Sequence, residues 1–115
     1  MGDRFFLRAA EVTAALLTVV AASIAIANAA ATKEVSQRGR MFDPGEVELR
    51  TGDTLHIVNN DADLLHHAYV DAPTFKFDSG EQEPGMSVDI VFSQRGSFAV
   101  LCGIHPKMHL AVTVK

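Results

Sequence analysis

The chain has 115 residues, with 10 Lys and Arg against 14 Asp and Glu, for a net charge of −4 at pH 7. That length holds one small domain and excludes a nucleotide-binding fold joined to a substrate domain. An acidic balance without a basic run excludes the phosphate attraction on which nucleic-acid affinity rests.

The first predicted element is an export leader over 1–31. Arg4 and Arg8 precede an apolar stretch from Val12 to Ala27, and small residues crowd together in Ala27-Asn28-Ala29-Ala30-Ala31. Charged, apolar and small residues in that order are the pattern of a cleavable secretory signal, with cleavage expected after Ala29 or Ala31. An uncleaved anchor would need roughly 20 strongly apolar residues; this stretch is shorter, rich in Ala, and has Glu11 at its entrance. There is no Arg-Arg pair, so export is expected in the unfolded state, with any metal acquired after crossing. Cleavage removes Asp3, Arg4, Arg8 and Glu11, two charges of each sign, and the net charge stays at −4.

The mature segment, 32–115, is punctuated at short intervals by Asp43-Pro44-Gly45, Thr51-Gly52-Asp53, Asp71-Ala72-Pro73, Ser79-Gly80, Glu83-Pro84-Gly85 and Arg95-Gly96-Ser97. Between these turns, Val47 and Leu49 alternate with glutamates, Leu55 and Ile57 with Thr54 and His56, and Val88, Ile90 and Phe92 with Ser87 and Asp89. Phe98, Val100 and Cys102 share one face of a later run, as do Leu110, Val112 and Val114 of the last. Alternation with such closely spaced turns predicts an all-β fold, a small sandwich of about eight strands around Val35, Val47, Leu55, Ala68, Phe75, Val88, Val100 and Val112. A bound metal would raise the stability of so small a core.

The chemistry concentrates in Cys102-Gly103-Ile104-His105-Pro106-Lys107-Met108, the predicted connection between the last two strands. Thiolate, imidazole and thioether within seven residues let one loop wrap a single ion, and with a second imidazole they make a blue-copper electron-transfer set. A lone Cys, His or Met would more often be core or surface; the spacing is what makes the three read together. Pro106 also holds His105 extended.

The second imidazole is sought in Leu64-Leu65-His66-His67-Ala68-Tyr69-Val70. With His66 facing the site, Ala68 and Val70 follow it inward while His67 and Tyr69 face out. The opposite parity turns Tyr69 in and the small apolar residues out, so alternation favours His66 while leaving His67 open. His56 reads as a solvated strand residue, His109 as pointing away from the ion, and Met41 and Met86 as packing or loop residues. Asp61 and Asp63 read as turn-formers ahead of His66.

The Cys-x-x-His-Pro-x-Met loop, with Met41-Phe42-Asp43-Pro44, Gly52-Asp53 and Asn60, resembles the cupredoxins. These are the type 1 blue copper proteins, and the likeness is greatest to the amicyanin- and plastocyanin-like, methylamine-utilisation type. The resemblance covers essentially the whole mature segment. It implies a Greek-key β-sandwich and one copper ion held by His66, Cys102 and His105 as equatorial ligands, with Met108 axial. It implies a one-electron carrier rather than an enzyme, monomeric and, in a Gram-negative source, periplasmic. The port would be the ring edge of His105, within an apolar collar drawn from Leu64, Leu65, Ile104 and Pro106, where redox partners dock transiently and Lys107 would steer an acidic one. The chain departs from the family at His67, where an Asn usually braces the two ligand loops, and the departure leaves open whether an imidazole takes over that brace. The same ligands would also suit a copper carrier that does not cycle, or zinc, which copper outranks in the Irving–Williams order. A cysteine hydrolase would need an orienting group, an oxyanion site and a cleft, none of which the sequence picks out.

Overall fold

A computed structural model describes residues 29–115, so the leader read over 1–31 lies outside the described residues except for its last three alanines. Nine strands form among them: β1 (Thr32–Arg38), β2 (Met41–Asp43), β3 (Glu46–Leu49), β4 (Asp53–Asn59), β5 (His66–Asp71), β6 (Lys76–Gln82), β7 (Ser87–Phe92), β8 (Gly96–Leu101) and β9 (His109–Val114). One sheet runs β2-β1-β4-β7 and the other β3-β9-β8-β5-β6. Both are mixed, since β1 pairs parallel with β4 and β3 parallel with β9 while the other pairings are antiparallel. Among the described residues no helix is long and apolar enough to cross a membrane.

The period-two runs do what their pattern requires. Along β4, Asp53, Leu55, Ile57 and Asn59 are buried while Thr54, His56 and Val58 are partly exposed. Leu55 and Ile57 then meet Ile90 and Phe92 of β7, Val100 of β8 and Leu110, Val112 and Val114 of β9 in one core between the sheets. Packing two inner faces in this way is the ordinary solution for antiparallel-rich sheets with one apolar side. Gln37 of β1 and Gln82 of β6 are buried as well, and Gln37 Nε2 donates to Gln82 Oε1 at 2.9 Å across the sandwich.

Two local features differ from the sequence reading. Met41-Phe42-Asp43 forms a ninth strand, because Gly39 and Arg40 turn β1 back on itself with φ of 62° and 58°, pairing Arg38 with Met41. Positive φ at both central residues is what a two-residue type I′ hairpin needs, and it occurs here without the usual Asn-Gly signal. Ser79-Gly80, read as a turn, instead lies inside β6. His67 pairs with Glu81 but Tyr69 pairs with Asp78, so Ser79 and Gly80 together stand opposite Ala68. Gly80, at φ 66°, makes this a glycine bulge: the residue that would serve a turn here kinks a strand.

Candidate metal centre

His66 opens β5 and its side chain is fully buried. Ala68 and Val70 follow it inward, while His67 and Tyr69 are partly exposed. The loop that delivers His66 is shaped by Asn59, at the end of β4. Asn59 Nδ2 donates to the carbonyls of Leu64 and Gln82, each at 2.8 Å, and its Oδ1 accepts the Asp61 amide at 3.0 Å. Asp61 in turn accepts the Gly39 amide on Oδ1 at 3.0 Å and contacts His66 Nε2 with Oδ2.

Cys102 follows β8 and is 2% exposed. From there the chain crosses to β9 through a loop closed by the Met108 amide donating to the His105 carbonyl at 2.9 Å. His105 Nδ1 lies 3.9 Å from Cys102 Sγ, and the His66 and His105 rings are 5.1 Å apart between centroids. One donor atom from each of His66, Cys102 and His105 falls within 4.8 Å of the others, the one such group of His, Cys, Asp or Glu among the described residues. Met108 is buried in the same core cluster as Cys102.

These atoms fit a metal ion. Metal–sulfur and metal–nitrogen bonds of about 2.3 and 2.0 Å that diverge by a tetrahedral to trigonal angle hold their ligand atoms about 3.5–3.8 Å apart, close to the 3.9 Å found between Sγ and Nδ1. His66 Nδ1 is buried without a hydrogen-bond partner. A buried ring nitrogen left open, beside a thiol and a second imidazole, is a donor without an acceptor of its electron pair. His105 is suited to supply the other lone pair. Burial first, and then the electrostatic influence of the His66 and Arg40 side chains, holds its imidazole below the usual histidine value, with Asp61 opposing. For Asp61, burial alone would raise the carboxyl. The His66 and Gly39 hydrogen bonds, followed by the electrostatic influence of His66 and Arg38, outweigh it and keep the group below the usual carboxylate range.

His67 ties the strand to the ligand loop. Its Nδ1 accepts the Gly103 amide at 3.2 Å, which places the ring proton on Nε2, where it is donated to Asp78 Oδ1 at 2.5 Å. The ring also stacks on Tyr69 at a centroid distance of 5.3 Å. Asp78 is held by the Gly80 amide of the bulge, at 2.8 Å. That bond, followed by the one from His67, keeps its carboxyl below the usual range. The imidazole at 67 therefore joins β5, β6 and the loop.

The remaining candidates lie elsewhere. His56 pairs with Asp89 at 2.5 Å, His109 is exposed, Met41 is exposed, and Met86 Sδ accepts the Glu83 amide at 3.4 Å. Beside His105 a shallow depression is lined by Arg40, Ile104, Pro106 and Lys107. Leu65 is exposed but, like Leu64, does not line it. Sequence reasoning missed Arg40, Asn59 and the Asp61–His66 contact, since each depends on a partner brought in by the fold.

No protein-family model matches the chain, and no curated protein matches it. Among solved structures, a Cu-containing nitrite reductase from Thermus scotoductus SA-01 is similar over 71% of this chain and 22% of its own, with 29% identity and a TM-score of 0.65. The chain thus spans under a quarter of that protein's length. A reduced mutant of amicyanin is similar over 73% of this chain and 82% of its own, at 20% identity and a TM-score of 0.67. A purple cupredoxin from Nitrosopumilus maritimus covers 71% of this chain with 98% of its own, at 21% identity and a TM-score of 0.63. The described part of the chain is a cupredoxin in fold, and the His66–Cys102–His105 group it assembles fits a blue copper site.

Proposed function

We propose that this chain is a small exported copper protein that passes single electrons between redox partners, with His66, Cys102, His105 and Met108 holding the ion. The observation that carries the reading is the convergence of one donor atom from each of His66, Cys102 and His105 within 4.8 Å, at a buried histidine whose Nδ1 has no hydrogen-bond partner. Copper supplies a one-electron couple there, and a thiolate, two imidazoles and a weak thioether are the donors that suit both of its oxidation states. The protein's part is to keep those donors in place. The His67–Gly103 contact and the Met108–His105 turn hold the loop, and the core encloses Cys102. A thiol that is 2% exposed is poorly placed for nucleophilic catalysis.

His105 alone among the three is partly exposed, so its ring connects the buried donors to the surface. Ile104 and Pro106 give the adjoining depression an apolar floor, and Arg40 and Lys107 give it two cations. A transient partner with an acidic rim around an apolar centre matches that surface, and brief docking suits a carrier. An exported location, periplasmic in a Gram-negative cell, follows from the leader.

The test is the visible and electron paramagnetic resonance spectrum after one equivalent of Cu(II). An intense thiolate-to-copper band with narrow copper hyperfine splitting, bleached by reductant and restored by oxidant, is expected, as is its loss in Cys102→Ala and survival in His56→Ala. A protein that binds only Cu(I) or Zn²⁺ and stays colourless would be a metal carrier instead.

A further inference from the structure

We infer that Asp61 is a positioning residue of the metal site, fixing which nitrogen of His66 faces Cys102 and strengthening that nitrogen as a donor. The inference rests on the copper reading above. A neutral imidazole has one N–H and one lone pair. His66 Nε2 is in contact with Asp61 Oδ2, so the proton belongs on Nε2, and the open pair falls on Nδ1, the buried nitrogen without a partner. A carboxylate behind a ligating imidazole also pushes electron density through the ring toward the metal.

Asp61 is built for this task rather than left in a turn. Its side chain is 11% exposed, so water screens the pair little. Gly39 of the β1–β2 hairpin holds Oδ1 and Asn59 of β4 holds the Asp61 amide, which sets the carboxylate from both sides. The hairpin that was not expected from the sequence is therefore what anchors the acid. Asp63, two residues on, is exposed and makes no such contact, although local sequence treats the two acids alike.

Three variants of the copper-loaded protein separate charge, hydrogen bond and mere structure. Asp61→Asn keeps an acceptor and loses the charge that favours the oxidised ion, so its reduction potential is expected to rise while the thiolate-to-copper band is retained. Asp61→Ala loses both, and is expected to raise the potential and weaken copper affinity roughly 10- to 100-fold. Asp63→Asn removes an equal charge without the contact, and should move the potential less than Asp61→Asn does. In the diamagnetic zinc-loaded protein, NMR should find the His66 Nε2 proton protected from exchange in wild type and Asp61→Asn. In Asp61→Ala it should exchange about tenfold faster, the order expected for one lost hydrogen bond. A reduction potential in Asp61→Asn that matches wild type, or shifts no more than in Asp63→Asn, overturns the inference even if Asp61→Ala does not fold. A wild type without the thiolate-to-copper band overturns the copper reading instead, and the zinc-loaded exchange measurement still judges Asp61.

Discussion

Gly103 offers the sharpest test of how the ligand loop is held. A Cβ at this position would lie 2.5 Å from His67 Nδ1, against the 3.4 Å at which ordinary van der Waals contact begins. The ring can move aside only by giving up contacts, since Asp78 holds its far edge at 2.5 Å and Tyr69 stacks on its face. Gly103 is not in the left-handed region of backbone space, so the methyl group costs nothing through φ itself. Overpacking of this kind costs about 1–3 kcal/mol, and loss of the Gly103–His67 hydrogen bond about 0.5–1.5 kcal/mol. The reduced freedom of the unfolded chain returns about 0.4–1 kcal/mol. Gly103→Ala should thus destabilise the protein by about 0.5–4 kcal/mol, or about 4–8 °C in Tm for each kcal/mol in a domain of this size. In a His67→Ala background both penalties vanish and only the unfolded-state term remains, so the same substitution should become neutral or stabilising by up to about 1 kcal/mol. Urea denaturation of the four members of the cycle, all metal-free so that binding does not add to stability, measures the coupling directly. Equal costs of Gly103→Ala in both backgrounds would refute the account of the brace.

Arg40 sits at φ 58° beside His105, a conformation glycine adopts freely, so Arg40→Gly should leave stability unchanged or raise it by up to about 1 kcal/mol in thermal denaturation. The same change should slow oxidation of the copper(I) protein by ferricyanide, an anion, and speed it by a cationic cobalt complex; equal effects on the two would rule out charge steering at this face. Asp53 accepts the Ala31 and Arg50 amides, each at 2.8 Å, and these bonds, in that order, lower its carboxyl below the ordinary 3.8. Its folded value is depressed, so its stabilisation is present above about pH 3.8 and is lost as pH falls through the folded value; acid denaturation of Asp53→Asn should be flatter over that interval than that of wild type. Ala31 also accepts the Thr54 amide at 2.9 Å, so export processing is expected to leave Ala30 as the first residue, and a chain starting at Thr32 should be less stable; N-terminal sequencing and denaturation of the two forms check this.

How much of this was legible depended on whether the partner was near in sequence. Leu55 and Ile57 announce their face by alternation alone, and Cys102, His105 and Met108 announce a site because one loop carries all three. His66 was reachable from strand parity. Asp61 was visible only as a turn residue, because its partner Gly39 lies 22 positions away on a hairpin without a standard turn signature. Arg40 was missed for the same reason: nothing in Arg38-Gly39-Arg40-Met41 says that a non-glycine residue will take positive φ. Ser79-Gly80 shows the converse, a correct local signal with two structural meanings. A glycine at φ 66° can end a strand or kink it, and only the register between β5 and β6 decides which.

That bulge also explains why the ligand loop can be held so locally in sequence and yet so firmly. The two histidines of β5 point to opposite sides of the strand, and each ring meets a carboxylate at Nε2, Asp61 inside and Asp78 outside. Nδ1 of His66 is left buried and unpartnered, while Nδ1 of His67 accepts the Gly103 amide next to Cys102. Asp78 reaches His67 because the bulge at Ser79-Gly80 turns the Gly80 amide onto its carboxylate. Asp61 reaches His66 because Gly39 and Asn59 hold its two ends. The adjacent rings are therefore fixed by two acids from different parts of the fold, one on the β4–β5 loop and one within β6. The outer clamp holds the Gly103 amide beside Cys102, and the inner one holds the His66 ring. A donor set restrained from both sides has little room to rearrange when its charge changes by one, which is what the one-electron function proposed above would require of the protein.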